Sequence, residues 1–499
     1  MKYVIGVDLG TSAVKILLVN QNGEVCKEIS KSYPLIHEKS GYSEQNPEEW
    51  VEKTTTGLKE LVEQFKGDIK DIEGISFSGQ MHGLVLLDEN KQVLRNAILW
   101  NDTRTTKQCE EIYEVVGKQR LLDITKNPAL EGFTLPKILW VKEQEPEVFQ
   151  KANVFMLPKD YLRYRMTGNI HMEYSDAAGT LLLNVAKHEW STEILDAFNL
   201  SLQLCPPLVE SHAFVGTVLA EFAKETGLSE GIKVFAGGAD NACGAIGSGI
   251  LSEGKTLCSI GTSGVILSYE ARNDLDFEGK VHYFNHSEEN AYYTMGVTLA
   301  AGYSLSWFKE TFARDEGFEE FLEGINEVPA GSNGLLFTPY LVGERTPHAD
   351  SNIRGSFIGV DAAHERKHFS RAVLEGITFS LNESLEIFRQ NGKTINSIIS
   401  IGGGAKNETW LQMQADIFNA KIEKLTSEQG PGMGAAILAA YGCGWYSSLK
   451  ECAEVFIQTS KTYEPIEENV QAYNKLFGIY QQVYKQTKEL NEQLSEFRK

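Results

Sequence analysis

The chain has 499 residues, of which 42 % are hydrophobic and 23 % charged, and it carries a formal net charge of −21 at pH 7. Single cores stop growing at roughly 250–300 residues, so this length implies two or three domains. The acidity argues against nucleic acid or an anionic membrane as the main partner, and any anionic ligand must be met by local backbone dipoles or a metal. Seven scattered cysteines without a CxxC pair read as reduced, mostly buried thiols of a cytoplasmic protein. The first residues carry an acid, Asp8, and no cleavage-site pattern, and no apolar run approaches the roughly 20 residues of a membrane span.

In chain order, the first element is a strand over Tyr3–Leu9, then a Gly10-Thr11-Ser12 turn and a second strand over 13–19. Asn22-Gly23 is a strong hairpin signal and leads to a third strand over 24–29. Asn46 as N-cap and Pro47 as first helical residue open a helix that carries Trp50, Leu58, Leu61 and Phe65. "IEGISFSG" is a strand ending at Gly79. Strands thus come in a local run and then alternate with helices, the pattern of α/β or α+β layers.

The second half repeats the plan. Lys255–Ile260 reads as a strand, 261–264 as a Gly-Thr-Ser-Gly turn and 265–269 as the returning strand. "INSIISIGGG" is a strand running into a triple-glycine turn, and the helix after it has Trp410, Met413 and Ile417 on one face. "GPGMGAAILAAYGCG" (430–444) is a small-residue helix suited to close packing on another backbone. From Glu467 onward, Val470, Tyr473, Phe477, Tyr480 and Tyr484 form one stripe of a docked helix. A boundary near 247–252 gives domains 1–247 and 248–499, with no low-complexity linker and a cleft between them.

"GILSEGKT" (249–256) fits the formal pattern of a P-loop, but such a loop follows a strand and opens a helix, whereas here a strand follows; Gly254 reads as a turn residue. The paired Gly-Thr-Ser turns are better phosphate sites, since glycine lets backbone N–H groups converge on an anion and the hydroxyls add donors. Asp8 has Ser259 as its counterpart at the second turn; it either holds Mg²⁺ or caps its own turn. In "GGADNACGA" (237–245), Asp240 suits a general base beside a transferring phosphoryl group, and equally an N-cap of the helix that follows. "SGQMHG" (78–83) puts Met81 and His82 at the C-terminal end of a strand, where α/β folds bind ligands. "LWNDTR" (99–104) gathers Asn101, Asp102 and Arg104 into a hydroxyl-recognition cluster. "GERTPH" (343–348) suits a domain contact as well as a substrate contact. "IGGGAKN" (401–407) fits a nucleoside lying on bare backbone, or a plain strand-to-helix turn.

Taken together these pieces resemble the FGGY family of carbohydrate kinases, within the actin/hexokinase/Hsp70-like superfamily. The likeness spans roughly residues 1–440 and includes "GFTLPKILWVKEQ" (132–144) and "GSFIGVDAAHERKHFSRAVLE" (355–375), which fit that family's two signature patterns. It implies two ribonuclease-H-like (actin-like ATPase) α/β domains with the active site in the cleft between them. It also implies Asp240 as catalytic base; Met81, His82, Asp240 and Asn241 as the sugar site; and Asp8 as the acid near Mg²⁺. Thr11 and Ser12 then belong to the first phosphate loop, Gly261 and Thr262 to the second, and Gly403, Gly404 and Asn407 to the adenosine motif. Trp100, Asn101 and Asp102 are carried as neighbours of the sugar. "YSEQNPEEW", "SGQMHG", "AILWND", "LPKDYLRYRMTG", "SDAAGT" and "YLVGERTPH" point within the family to D-xylulose as acceptor and to xylose catabolism. Gluconate, ribulose or another polyol is the alternative, as is a catalytically silent regulator. The expected partners are ATP and a small ketose, with a homodimer as one allowed assembly.

Overall fold

The structure, a computed structural model, describes residues 1–498. It is built on two seven-stranded sheets of the same plan. The first runs Phe214–Thr217, Lys233–Phe235, Ile72–Gly79, Tyr3–Leu9, Ala13–Asn20, Val25–Ser32, with Gly238–Ala239 pairing the upper end of Ile72–Gly79. The second runs His282–Asn285, Tyr292–Thr298, Gly264–Glu270, Lys255–Ile260, Ser397–Gly402, Lys421–Leu425, Thr459–Tyr463. In each, a Gly-Thr-Ser turn joins two antiparallel strands, and a parallel strand that arrives much later in the chain lies on the other side.

The third strand is Val25–Ser32 rather than 24–29. The reason is local: the Asn20 side chain accepts the N–H groups of Asn22 and Glu24, which holds Glu24 in the turn. Gly23 there has φ of +82°, and a Cβ on it would meet the Phe456 backbone at 2.4 Å. Asn46 caps the Pro47–Gln64 helix as the sequence suggests, by accepting from Glu48 N–H.

Period-two alternation decides what the first strand faces. Ile5, Val7 and Leu9 join Trp50, Leu58 and Leu61 in one core. Val4 points the other way, into a second core with Leu17, Val19, Met433, Ala436 and Ile437. Gly6 shares that side, where its Cβ would lie 2.2 Å from the Gly432 carbonyl oxygen. The small-residue helix, Gly430–Gly442, is therefore packed on the first sheet, although it comes late in the chain. A cut near 247 divides the chain by order, but packing returns the Gly430–Gly442 helix to the first body. A large core also runs without a break from the segment around Phe133 into Phe284, Tyr293 and the Arg366–Gln390 helix of the second body.

The Asp240–Ile246 helix is followed by Gly254 at φ of +81° and then by the Lys255–Ile260 strand, so "GILSEGKT" is a turn and not a P-loop. The closing helix, Glu467–Ser495, buries Val470, Tyr473, Phe477 and Tyr480, while Tyr484 is half-buried and stacks on His348 at 3.7 Å. All seven cysteines are unpaired, with Cys26 exposed. Among the described residues no helix is long and apolar enough to cross a membrane.

Candidate active site

Each phosphate turn is closed by its own backbone: Gly10 N–H donates to Ala13 O, and Gly261 N–H to Ser263 O, each at 3.0 Å. The first turn is held from behind, because the buried Gln45 amide donates to Thr11 O at 2.7 Å and Gln45 itself accepts from Trp50 and Gln80. Tyr33 donates its hydroxyl to Gly10 O. The second turn offers the Gly261 and Thr262 carbonyls to the first N–H groups of the Gly302–Phe312 helix. A Cβ at Gly302 would lie 2.4 Å from Gly261 O. Both turns are thus rigid loops with Thr and Ser side chains facing outward.

Beside the second turn lies a pocket of about 490 Å³ lined by Gly261, Thr262, Gly403 and Asn407, and by Tyr303 and Phe318. Four of the residues expected to bind nucleotide therefore share one wall. Gly404 sits behind that wall, where its missing Cβ leaves room for the Ile260 side chain. Asn407 serves two purposes: its Oδ1 caps the Glu408–Phe418 helix at Trp410 N–H, and its amide end faces the pocket. Tyr303 and Phe318 were not singled out in the sequence, since an aromatic among helical residues carries no local mark that it lines a pocket.

Asp8 closes the first strand on the side of Gly6 and Gly432, with Lys15 and Ser78 as its register partners. Burial pushes its carboxyl above the usual range, against the opposing influence of the Ser78 hydroxyl and Lys15. Asp240 is the first residue of its helix; the N-cap is Ala239, so the capping alternative for Asp240 is not what the structure adopts. Its Oδ1 accepts from Asn241 N–H at 2.7 Å and from the Asn241 amide at 3.1 Å. Burial, and then the charge of Asp8, push Asp240 up to about 7. The charge of Asp8 is thus felt at Asp240.

Met81 and His82 stand next to them. Asn241 donates its amide toward Met81 Sδ at 3.5 Å. His82 has φ of +67°, which turns its ring out of the strand. Its Nδ1 bonds Gly179 O at 2.6 Å, and its carbonyl accepts from Thr134 Oγ1 and Lys137 Nζ. Burial, with the charges of Lys137 and Arg345 nearby, holds the imidazole neutral, down to about 3. A neutral ring that donates from Nδ1 presents Nε2 as an acceptor. Burial also brings the Lys137 ammonium down to about 7. Lys137 was not singled out in the sequence; a lone cation inside the apolar run "TLPKILW" was the available signal.

Trp100 and Asp102 differ from expectation. Trp100 is 46 % exposed and donates its indole N–H to Thr11 Oγ1 at 2.9 Å, so it flanks the first phosphate turn. Asp102 is buried and committed: it accepts from Ser43 N–H at 2.7 Å and pairs with Arg104, whose guanidinium also meets Glu44 and stacks over Tyr42. The Asp102–Arg104 pair is a structural clamp with no lone pair left for a sugar hydroxyl, while Asn101 remains exposed.

Among the described residues no cluster of three or more His, Cys, Asp or Glu side chains gathers to hold a metal. The half-buried Asp8 carboxyl fits an ion that keeps waters and takes its remaining oxygens from phosphate, as Mg²⁺ does.

Comparison with known proteins agrees with this geometry. Residues 3–247 match the N-terminal domain of the FGGY family of carbohydrate kinases, and residues 256–443 match its C-terminal domain. The chain is 66 % identical, over all of both chains, to the xylulose kinase of Bacillus subtilis (strain 168). Among solved structures it is similar to ligand-bound xylulose kinase from Lactobacillus acidophilus (TM-score 0.92, 30 % identity, 98 % of each chain covered). Gluconate kinase from the same organism is as near in fold, with TM-score 0.92, 30 % identity and coverage of 97 % of this chain and 98 % of that one. With both of its domains matched and the 66 % identity running the full length of a curated member, the chain belongs to the FGGY family of carbohydrate kinases.

Proposed function

We propose that this chain transfers the γ-phosphoryl group of ATP to the terminal hydroxyl of D-xylulose, giving D-xylulose 5-phosphate and ADP in the cytoplasm. The observation that carries the kinase reading is the Asp240 carboxyl, held near 7 beside Asp8 and the Met81–His82 pair. The choice of D-xylulose rests on the full-length 66 % identity to the Bacillus subtilis xylulose kinase.

Asp240 Oδ1 is engaged by Asn241, which leaves Oδ2 for the proton of the attacking O5 hydroxyl. As the O5–P bond forms, that proton passes to Asp240, and the electron pair of the breaking P–O bond leaves with ADP. A base near 7 is matched to this task at cellular pH. His82 Nε2 accepts from a sugar hydroxyl and fixes the acceptor's orientation, and Met81 supplies an apolar floor. The Gly10-Thr11-Ser12 and Gly261-Thr262 turns hold the polyphosphate from opposite sides, with the nucleoside in the pocket lined by Gly403 and Asn407. Asp8 is the residue that would hold Mg²⁺, directly or through water, and the ion's charge would offset that of the phosphates. Closing the cleft keeps water from replacing the sugar.

Gluconate is the second acceptor class, because the gluconate kinase fold matches as well as the xylulose kinase fold. The test is Mg²⁺-dependent ADP release over a panel of D-xylulose, D-ribulose, gluconate and glycerol, with a no-sugar control. The expected result is a kcat/KM highest for D-xylulose. A higher value for gluconate, or ATP binding without stimulation by any sugar, overturns the proposal.

A further inference from the structure

The segment that delivers Asp240, residues 236–239, is tied to a fully buried polar network that the phosphoryl transfer itself does not use. Arg163 donates to Ala236 O at 2.6 Å, Ser211 O accepts from Gly237 N–H at 2.9 Å, and Ser175 Oγ accepts from Ala239 N–H at 2.9 Å. Ala239 is the N-cap of the Asp240–Ile246 helix and supplies no side-chain cap. Its N–H bond to Ser175 is therefore the last fixed point before the base.

Ser175 has no freedom to turn away. Its proton goes to Glu173 Oε2 at 2.7 Å, which leaves two lone pairs, one for Ala239 N–H and one for the Ser287 hydroxyl at 3.2 Å. Glu173 is fixed in turn by Ser175 N–H, Asp176 N–H, Ser211 Oγ and Lys159 Nζ. Lys159 also reaches Asp160 at 2.9 Å and Asp176 at 2.6 Å, and none of these side chains touches solvent. Three acids against two bases is an expensive arrangement inside a protein, where well-packed apolar residues stabilise as well or better. Stability alone is a poor reason for it. Its geometry, which holds the Ala236 carbonyl and the Ala239 N–H just ahead of Asp240, is a better one.

We infer that Ser175, oriented by Glu173, is a positioning residue for Asp240, fixing through Ala239 N–H where the base stands relative to the sugar hydroxyl. The inference rests on Asp240 being the base. Ser287, which comes from the second body, shares the same hydroxyl, so the position of the base also depends on contact between the two bodies.

The test separates the hydroxyl from the packing. Ser175→Ala removes the acceptor for Ala239 N–H while keeping the shape. Its kcat with D-xylulose is expected to fall by about tenfold to a hundredfold, the cost of a slightly misplaced base, while KM for ATP stays within about twofold. Ser175→Thr keeps the hydroxyl but adds a methyl group to a full site. It is expected to lower Tm yet retain most of kcat. If kcat follows Tm across the two variants instead of following the hydroxyl, the positioning role is wrong. Asp240→Asn, assayed alongside, isolates the underlying reading: near-normal turnover in that variant refutes Asp240 as base. An inactive Asp240→Asn together with a fully active Ser175→Ala refutes only the positioning role.

Discussion

Gly434→Ala adds one methyl group at the glycine whose backbone is most closely approached by another. A Cβ at Gly434 would lie 1.9 Å from the carbonyl oxygen of Cys243, in the helix that begins at Asp240. Ordinary contacts of this kind start at 3.4 Å, so the two backbones must separate by about 1.5 Å. The Gly430–Gly442 helix cannot retreat, because its other side rests on the first sheet, where a Cβ at Gly6 would stand 2.2 Å from Gly432 O. The displacement must therefore pass to the Asp240–Ile246 helix. Overpacking of this kind costs about 1–3 kcal/mol, and a shift of about 1 Å in a catalytic group costs about a hundredfold in rate. The expected variant melts several degrees lower by calorimetry and loses about two orders of magnitude in kcat by coupled ADP release. ATP binding, on the far side of the cleft, is expected to persist. Wild-type Tm and kcat in this variant would show that the helix pair is not what sets the base.

Asp240 predicts an opposition between activity and stability. Its folded-state value of about 7 exceeds the ordinary 3.8, so the folded state holds this proton more tightly and stability falls as pH rises from about 4 to about 7. Asp240→Asn removes that penalty and is expected to stabilise the ligand-free protein at pH 8 by about 1–3 kcal/mol, read as a higher Tm, while abolishing phosphorylation; an unchanged or lower Tm counts against the burial of this charge. In the wild type, kcat/KM for D-xylulose should decline as pH falls below about 7, and a flat profile down to pH 5 is the contrary result. Asp102→Ala leaves the Arg104 guanidinium without its main buried partner and is expected to cost about 3–5 kcal/mol in unfolding with little change in KM for the sugar. A large rise in KM with unchanged stability would restore Asp102 to the sugar site. Trp100→Phe removes the hydrogen bond to Thr11 and should weaken ATP binding severalfold, read by titration calorimetry, while leaving Tm near wild type.

What could be read from the sequence was whatever a local pattern encodes. The two Gly-Thr-Ser turns were visible because a turn between apolar strands is written in adjacent residues, and Asn46-Pro47 marked its helix for the same reason. Asp240 stood out because glycines and alanines surround it, and the same small residues create the space in which burial raises its proton affinity. The misreadings share one cause, which is that a side chain's partner can lie far along the chain. Asp102 looks like a hydroxyl ligand until Ser43, fifty-nine residues earlier, supplies its N–H. Lys137 stands out as a lone cation in an apolar run, but the carbonyl of His82 that its ammonium holds lies fifty-five residues earlier. The return of the Gly430–Gly442 helix to the first sheet is of the same kind, yet its composition already held the clue. Glycine and alanine along a helix that is buried on every side leave room only for another backbone. That contact has a consequence for the site: the helix that starts with Asp240 is braced by a helix that follows six of the second sheet's seven strands. A shift of the second sheet therefore reaches Asp240 through the chain that joins that sheet to this helix.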